Sequence, residues 1–335
     1  MSVTMLTIGK LTFFATVLCF AGAASVGAQS VPGRKAAKIG MLHGGTPSSP
    51  SIMIESFKQT LREKGWNEGR NLTLERRYAE GHYERLPGLA RELVAQGVDV
   101  IVTDGSAQTS AAIQVTKTVP IVMATSGDPV GSGFVKSLAR PGGNVTGASF
   151  FFPELTAKRL ELLKEAVPSA ARVGIIYNPL NPVQEPAVVA AEATGKRLKV
   201  RIERLAARAP ADFDAIFPVM TKERMDAVIV LEDGTINSQA LRLVDATLRG
   251  NVPTIFGLSN VVAAGGFMSY APDRAELWRH AALLTDKILR GAKPGDLPVE
   301  QPTKFDLVIN MKTAKALGLR IPSSLLLRAD QLIEQ

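Results

Sequence analysis

Short runs of β-branched and apolar residues alternate along this chain with stretches whose apolar positions recur every three or four residues. Residues 38–42 form the first such run and end in a polar loop, residues 43–48. Ile52, Ile54, Phe57 and Leu61 follow near helical spacing, and Gly65 closes that helix. Residues 71–77 alternate as a strand, and Leu86, Leu89, Ala90, Leu93 and Val94 share one face of a helix over residues 83–95. Strands at 98–103 and 120–125 each run into a polar loop. The series then restarts with strand 171–177, helix 183–197, strand 199–205, a helix from Ala211, strand 225–231, a further helix and strand 251–256. Each half therefore reads as one βαβαβ unit, although the halves share little sequence. Strands alternating with helices predict a doubly wound α/β fold, a mostly parallel sheet covered by helices on both faces. The turn cluster 140–144 and the extended segment 145–151 connect the halves.

Ahead of this pattern lies a stretch of different character. Lys10 is the only charge in residues 1–28, and an apolar run at 11–24 follows it before the small residues Val26, Gly27 and Ala28. That is the layout of a cleaved signal peptide, and the run is shorter than the roughly 20 residues a membrane span needs. Cleavage after Ala28 is expected. Cys19 is the only cysteine, and Thr16, Val17 and Leu18 before it lack the small residue of a lipoprotein signal. The mature chain is thus expected in the periplasm with no disulfide, no thiolate metal site and no cysteine nucleophile.

Composition narrows the classes further. Hydrophobic residues at 46% with 21% charged residues indicate a globular chain, long enough for two domains. The net charge of +8 raises the question of nucleic acid, but the basic residues are interleaved with acids, as at 62–64 and 222–224. Without a basic run or an aromatic–basic motif, a solvated basic surface is expected and no nucleic-acid partner. There is no G-x-S-x-G or H-E-x-x-H, and His43, His82 and His280 lack metal-ligand spacing. No catalytic residue, metal or cofactor is expected.

What the pattern leaves is a set of polar loops at the carboxyl ends of strands, where ligands of open α/β sheets bind. They are residues 43–48, 104–108, 125–128, 178–181 and 232–234. Ser106 stands at the expected N-cap of a helix, and Asp128 precedes Pro129 as a second N-cap. Amides at helix N-termini attract anions, Ser106 and Thr125 add hydroxyls, and Asp233 offers a partner for an ammonium group. Such a cleft suits a zwitterion or a carboxylate, with His43, Tyr177 or Tyr270 packing against its side chain.

Several motifs also stand in order along nearly the whole mature chain: residues 65–71 (GWNEGRN), 78–81 (YAEG), 127–130 (GDPV), 140–147 (RPGGNVTG), 157–163 (AKRLELL), 177–179 (YNP), 265–270 (GGFMSY), 301–310 (QPTKFDLVIN) and 321–330 (IPSSLLLRAD). In these the chain resembles the ABC-transporter substrate-binding protein family that includes tryptophan/tyrosine-type binding proteins. The resemblance implies a type I periplasmic-binding-protein fold. Two lobes, 36–150 with 271–292 and 151–270 with 293–335, would be joined by crossings near 148–153, 270–272 and 295–302. It also implies a small-molecule solute caught between the lobes by a monomer and handed to an ABC permease. The ligand-binding set expected on this basis is His43, Thr46, Gly105, Ser106, Ala107, Thr125, Asp128, Asn178, Asn181, Asp233 and Tyr270. Ser106 and Ala107 fall where related amino-acid binders hold the carboxylate, Thr125 and Asp128 in the second such loop, and Asp233 where they place an acid for the amine. Gly234 departs from the tryptophan-type members, which tend to carry Asn there. A secreted two-domain enzyme and a ligand sensor using the same cleft are the alternatives.

Overall fold

Two runs in the sequence, Val100–Thr103 and Ala227–Val230, are buried at every position. Strands of that kind belong in the middle of sheets covered on both faces, and each lies inside the sheet of one lobe. The structure, a computed structural model, describes residues 36–47, 52–222 and 225–334. The leader expected at 1–28, with Lys10 and Cys19, lies outside the described residues, as do Ser48, Glu223 and Arg224.

The first lobe follows the predicted alternation. Strand β1 (Ala37–His43), helix α1 (Ile52–Glu63), β2 (Leu72–Tyr78), α2 (Leu86–Ala95), β3 (Val100–Thr103), α3 (Ser106–Val115), β4 (Ile121–Met123) and β5 (Val145–Gly147) succeed one another. The sheet has the order β2-β1-β3-β4-β5, and all its pairings are parallel. Charged residues collect on β2, an edge strand, as expected of a strand that must not recruit a partner.

The second lobe is built the same way and extended. It begins with α4 (Phe152–Ala166), β6 (Arg172–Tyr177), α5 (Gln184–Leu198), β7 (Arg201–Ala206), α6 (Phe213–Lys222), β8 (Ala227–Val230), α7 (Gly234–Asn237), α8 (Ala240–Arg249), β9 (Thr254–Phe256) and α9 (Ser259–Ala263). It continues through β10 (Met268–Pro272), α10 (Arg274–Leu289), β11 (Phe305–Asn310), α11 (Met311–Ala316), α12 (Ser323–Leu326) and β12 (Gln331–Ile333). The seven-stranded order is β12-β11-β10-β9-β8-β6-β7, and only β10 with β11 is antiparallel. Strand β9 starts later than predicted because Asn251 takes φ 54 and Pro253 has no N–H for the ladder.

Apolar clusters fill both faces of each sheet. Helix α10 belongs with the first lobe, where Trp278, Ala281, Ala282 and Leu284 pack with Ile39, Phe57 and Leu61. The chain therefore crosses between lobes three times. The first crossing ends at Phe151, which takes the left-handed φ 50 before α4 begins, a conformation that costs a bulky residue energy. The second follows Pro272. The third lies later than the boundary expected at 292/293. Residues 294–300 stay on the first lobe: Gly142 N–H donates to Gly295 O at 3.1 Å, Thr146 Oγ1 to Leu297 O at 2.7 Å, and Glu300 N–H to Gly147 O at 2.9 Å. Val299 is buried in the first lobe beside Ile121 and Val145. Gly291 (φ 102) ends α10, and the apolar residues after it continue along the edge of β5.

Candidate ligand site between the lobes

The loop after β8 carries Glu232 and Asp233, and Asp233 caps the short helix α7 by accepting from Thr235 N at 2.9 Å. Three side chains converge on the same carboxylate. Asn178 Nδ2 donates to Oδ1 at 3.1 Å, Asn181 Nδ2 to Oδ2 at 3.0 Å, and Tyr83 Oη to Oδ2 at 2.6 Å. A carboxylate has about four acceptor positions, and these four donors fill them. Burial pushes the Asp233 pKa up, while the bonds from Tyr83, Asn178, Asn181 and Thr235 pull the other way. Tyr83 is held well above the usual phenol value by burial, and then by the charge of Asp233.

Tyr83 belongs to the first lobe and Asp233 to the second, so this cluster joins them directly. Gly234 N–H donates to Tyr83 Oη at 2.8 Å, and Thr235 Oγ1 to Gly81 O at 2.6 Å. Phe152 N–H, at the start of α4, reaches Gly127 O at 2.9 Å. Gly234 lies so close to the β1 loop that a Cβ would stand 2.7 Å from the Gly44 carbonyl carbon and 2.8 Å from its Cα. That explains the departure noted at Gly234: no side chain fits while the loops touch. The lobes are closed on one another.

On the first-lobe side, His43 Nδ1 lies 3.1 Å from Asp104 Oδ2, and Gly44 N–H donates to Asp104 Oδ1 at 3.1 Å. A carboxylate only accepts, so His43 Nδ1 carries the proton in that contact. The imidazole stacks on Tyr78 (centroids 4.8 Å apart) and on Trp278 (6.0 Å). Ser106 is not the N-cap expected of it. Gly105 caps α3, and Ser106 Oγ instead accepts from Gly127 N at 3.1 Å and meets Ser126 Oγ at 3.2 Å. The β4 loop comes alongside the start of α3 and captures the hydroxyl. Thr125 Oγ1 donates to Asp104 O at 2.7 Å, and Ala107 is buried. The buried Gln108 side chain folds back over the start of α3; a Cβ on Gly105 would stand 2.7 Å from its Oε1. Asp128 opens no α-helix. Its Oδ1 accepts from Gly131 N at 2.8 Å and closes a turn that Gly133 (φ 71) completes. Thr46 is exposed at the end of the described part of its loop.

At the crossings, Arg159 is fully buried and grips Glu232 with both terminal nitrogens, Nη1 to Oε2 at 2.7 Å and Nη2 to Oε1 at 2.9 Å. Its Nε donates to the carbonyl of Tyr270, whose ring leans on Phe305. Tyr177 belongs to the second-lobe core. Arg274 opens α10 immediately after the second crossing. Burial pushes its pKa down, opposed by the charges of Asp104 in one lobe and Glu232 in the other.

Thus the structure brings Asn178, Asn181 and Asp233 into one bonded cluster, and His43, Gly105, Ser106, Ala107 and Thr125 into the facing loops. Asp128 is spent on its own turn. Sequence reasoning missed Tyr83, Arg159, Glu232 as an ion-pair partner, and Arg274. Tyr83 sits just past the flagged motif 78–81 and Arg159 inside 157–163, but neither carries a local sign of its long-range partner. Among the described residues, no group of three or more His, Cys, Asp or Glu is placed to hold a metal, and no helix is long and apolar enough to cross a membrane.

Two α/β lobes with three crossings and a closed polar cleft define a type I periplasmic-binding-protein fold. Residues 48–333 match the family described as ABC transporter substrate binding protein, and the chain belongs to that family. It is 28% identical over 267 residues to the Tyrosine-binding protein of Clostridioides difficile (strain R20291), covering 79% of this chain and 76% of that one. Two solved structures cover 89% of this chain with all of theirs. A conserved domain protein from Vibrio cholerae has a TM-score of 0.83 at 28% identity. The ABC domain from Streptococcus pneumonia in complex with L-Trp has a TM-score of 0.82 at 29% identity.

Proposed function

We propose that this protein is the solute-capturing component of an ABC importer. It closes on an amino acid or related carboxylate in the periplasm and delivers it, as a monomer, to a membrane permease. The leader would direct export and be removed after Ala28. The observation that carries this reading is the direct bonding of loops at the carboxyl ends of strands from both lobes, through Tyr83, Asp233, Gly234 and Gly81. A hinged protein gains affinity when its ligand favours the closed state over the open one. The tyrosine-binding relative and the L-Trp complex support an amino-acid ligand.

In this reading His43, Gly105, Ser106, Ala107, Thr125 and Tyr270 line the ligand side of the cleft. Asn178, Asn181 and Asp233 hold the closed arrangement. The hinge lies at 148–151, 272–274 and 300–304. Mass spectrometry of solute released from denatured, purified protein tests the proposal directly, and it should recover a small carboxylate. Calorimetry with L-tyrosine, L-tryptophan and L-leucine then measures binding without turnover. Recovery of a chemically altered solute after incubation would point to an enzyme instead.

A further inference from the structure

We propose that Arg274 is the group that pairs with the carboxylate of the captured solute, and that it makes this cleft prefer acids over their neutral amides. The inference rests on the reading of the cleft as a binding site for an amino acid or related carboxylate.

Position comes first. Arg274 is the first residue of α10, directly after the second crossing, so it sits at the hinge, where the charges of Asp104 in one lobe and Glu232 in the other reach it. Both neighbouring acids are committed elsewhere. Asp104 accepts from Gly44 N and contacts His43, and Glu232 is held by both ends of the Arg159 guanidinium. Arg274 is half-buried, and its guanidinium has no hydrogen bond or ion pair among the described residues. A desolvated cation without a counter-ion is costly. A guanidinium matches a carboxylate with two parallel N–H donors, so an incoming acid supplies what the protein leaves out.

The surroundings agree. One helical turn further along α10, Trp278 is buried with its Nε1 unbonded, and the His43 ring stacked on it is buried with its Nε2 unbonded. Two buried polar atoms without partners therefore belong to Trp278, one turn along the face of α10 that carries Arg274, and to the ring stacked on it. The places expected to hold the two ends of a zwitterion are already occupied. Gln108 covers the start of α3, Ser106 Oγ is engaged with Ser126 and Gly127, and the Asp233 carboxylate has its four donors.

The test compares L-tyrosine, L-tryptophan and L-leucine with their carboxamides on the wild-type protein and on Arg274→Gln and Arg274→Lys, by calorimetry. Wild type should bind at least one acid ten times more tightly than its amide. Arg274→Gln should weaken that acid at least tenfold and bring acid and amide to within about threefold of each other. Arg274→Lys, which keeps the charge without the fork, should fall between, and it carries the test if Arg274→Gln does not fold. The unliganded melting temperature of either variant should match or exceed that of wild type. Acid binding that is unchanged in the variants overturns the role of Arg274 and leaves the capture function standing. A wild type that binds acid and amide alike overturns it too. A wild type that binds none of the acids overturns both.

Discussion

Tyr83→Phe isolates the contact that closes the lobes. The substitution removes one oxygen and keeps a ring that is 6% exposed in the first-lobe core. That oxygen donates to Asp233 Oδ2 at 2.6 Å and accepts from Gly234 N at 2.8 Å, both across the cleft. In the open form water satisfies all three groups, so the loss falls on the closed form alone. A hydrogen bond to a charged group contributes about 1.5–3 kcal/mol, which corresponds to a closing equilibrium weaker by roughly tenfold to a hundredfold. Apparent affinity scales with the fraction of binding-competent molecules, so any solute that needs the closed form should lose affinity by up to that factor. Small-angle scattering of the unliganded protein should show a larger radius of gyration in Tyr83→Phe, and calorimetry with the solute identified by mass spectrometry should show the weaker binding. The melting temperature without solute should move little, because neither sheet is touched. An unchanged radius and unchanged affinity together would refute the idea that this hydroxyl latches the lobes.

Other perturbations separate the remaining contacts. Gly234→Asn places a Cβ 2.7 Å from the Gly44 backbone, so closure and affinity should fall while urea unfolding of the unliganded protein stays close to wild type. Arg159→Ala leaves Glu232 charged and nearly buried, which should cost about 3–5 kcal/mol in urea denaturation; replacing both partners with apolar residues should cost less. The Glu161, Glu192 and Glu276 carboxyls are held below their usual 4.5 first by hydrogen bonds from Arg197, Arg204 and Arg279. Their folded pKa is depressed, so their stabilising contribution is present above pH 4.5 and is lost as pH falls through the lower folded values. Thermal melts should decline in that window, and Glu192→Gln should flatten the decline. N-terminal sequencing of exported protein should begin at or near Gln29, and an intact Met1 would contradict the cleavage site.

The alternation of strands and helices was legible because it is a local signal. Val100–Thr103 and Ala227–Val230 are β-branched or apolar at every position, and α5 lies within one residue of its expected bounds at both ends. The loops at strand ends were legible for the same reason, since topology alone assigns them. What each side chain does there was not. Ser106 reads as a cap in sequence, but the β4 loop, twenty residues away, takes its hydroxyl. Asp233 reads as a free acid, yet its partner Tyr83 lies 150 residues earlier. The boundary after α10 was misplaced because Gly291 ends a helix without ending a lobe. Such contacts are set by how the lobes meet, and no periodicity encodes that.

The three crossings also impose an order on synthesis. The first lobe needs α10 and residues 294–300 to complete its core, and the second needs β11 and β12 near the end of the chain. A nascent chain that stops at residue 270 has all of β1–β5 but lacks Trp278, the largest side chain buried among them. Neither half can then complete its core before nearly the whole polypeptide exists, because each lobe draws elements from the last stretch of the chain.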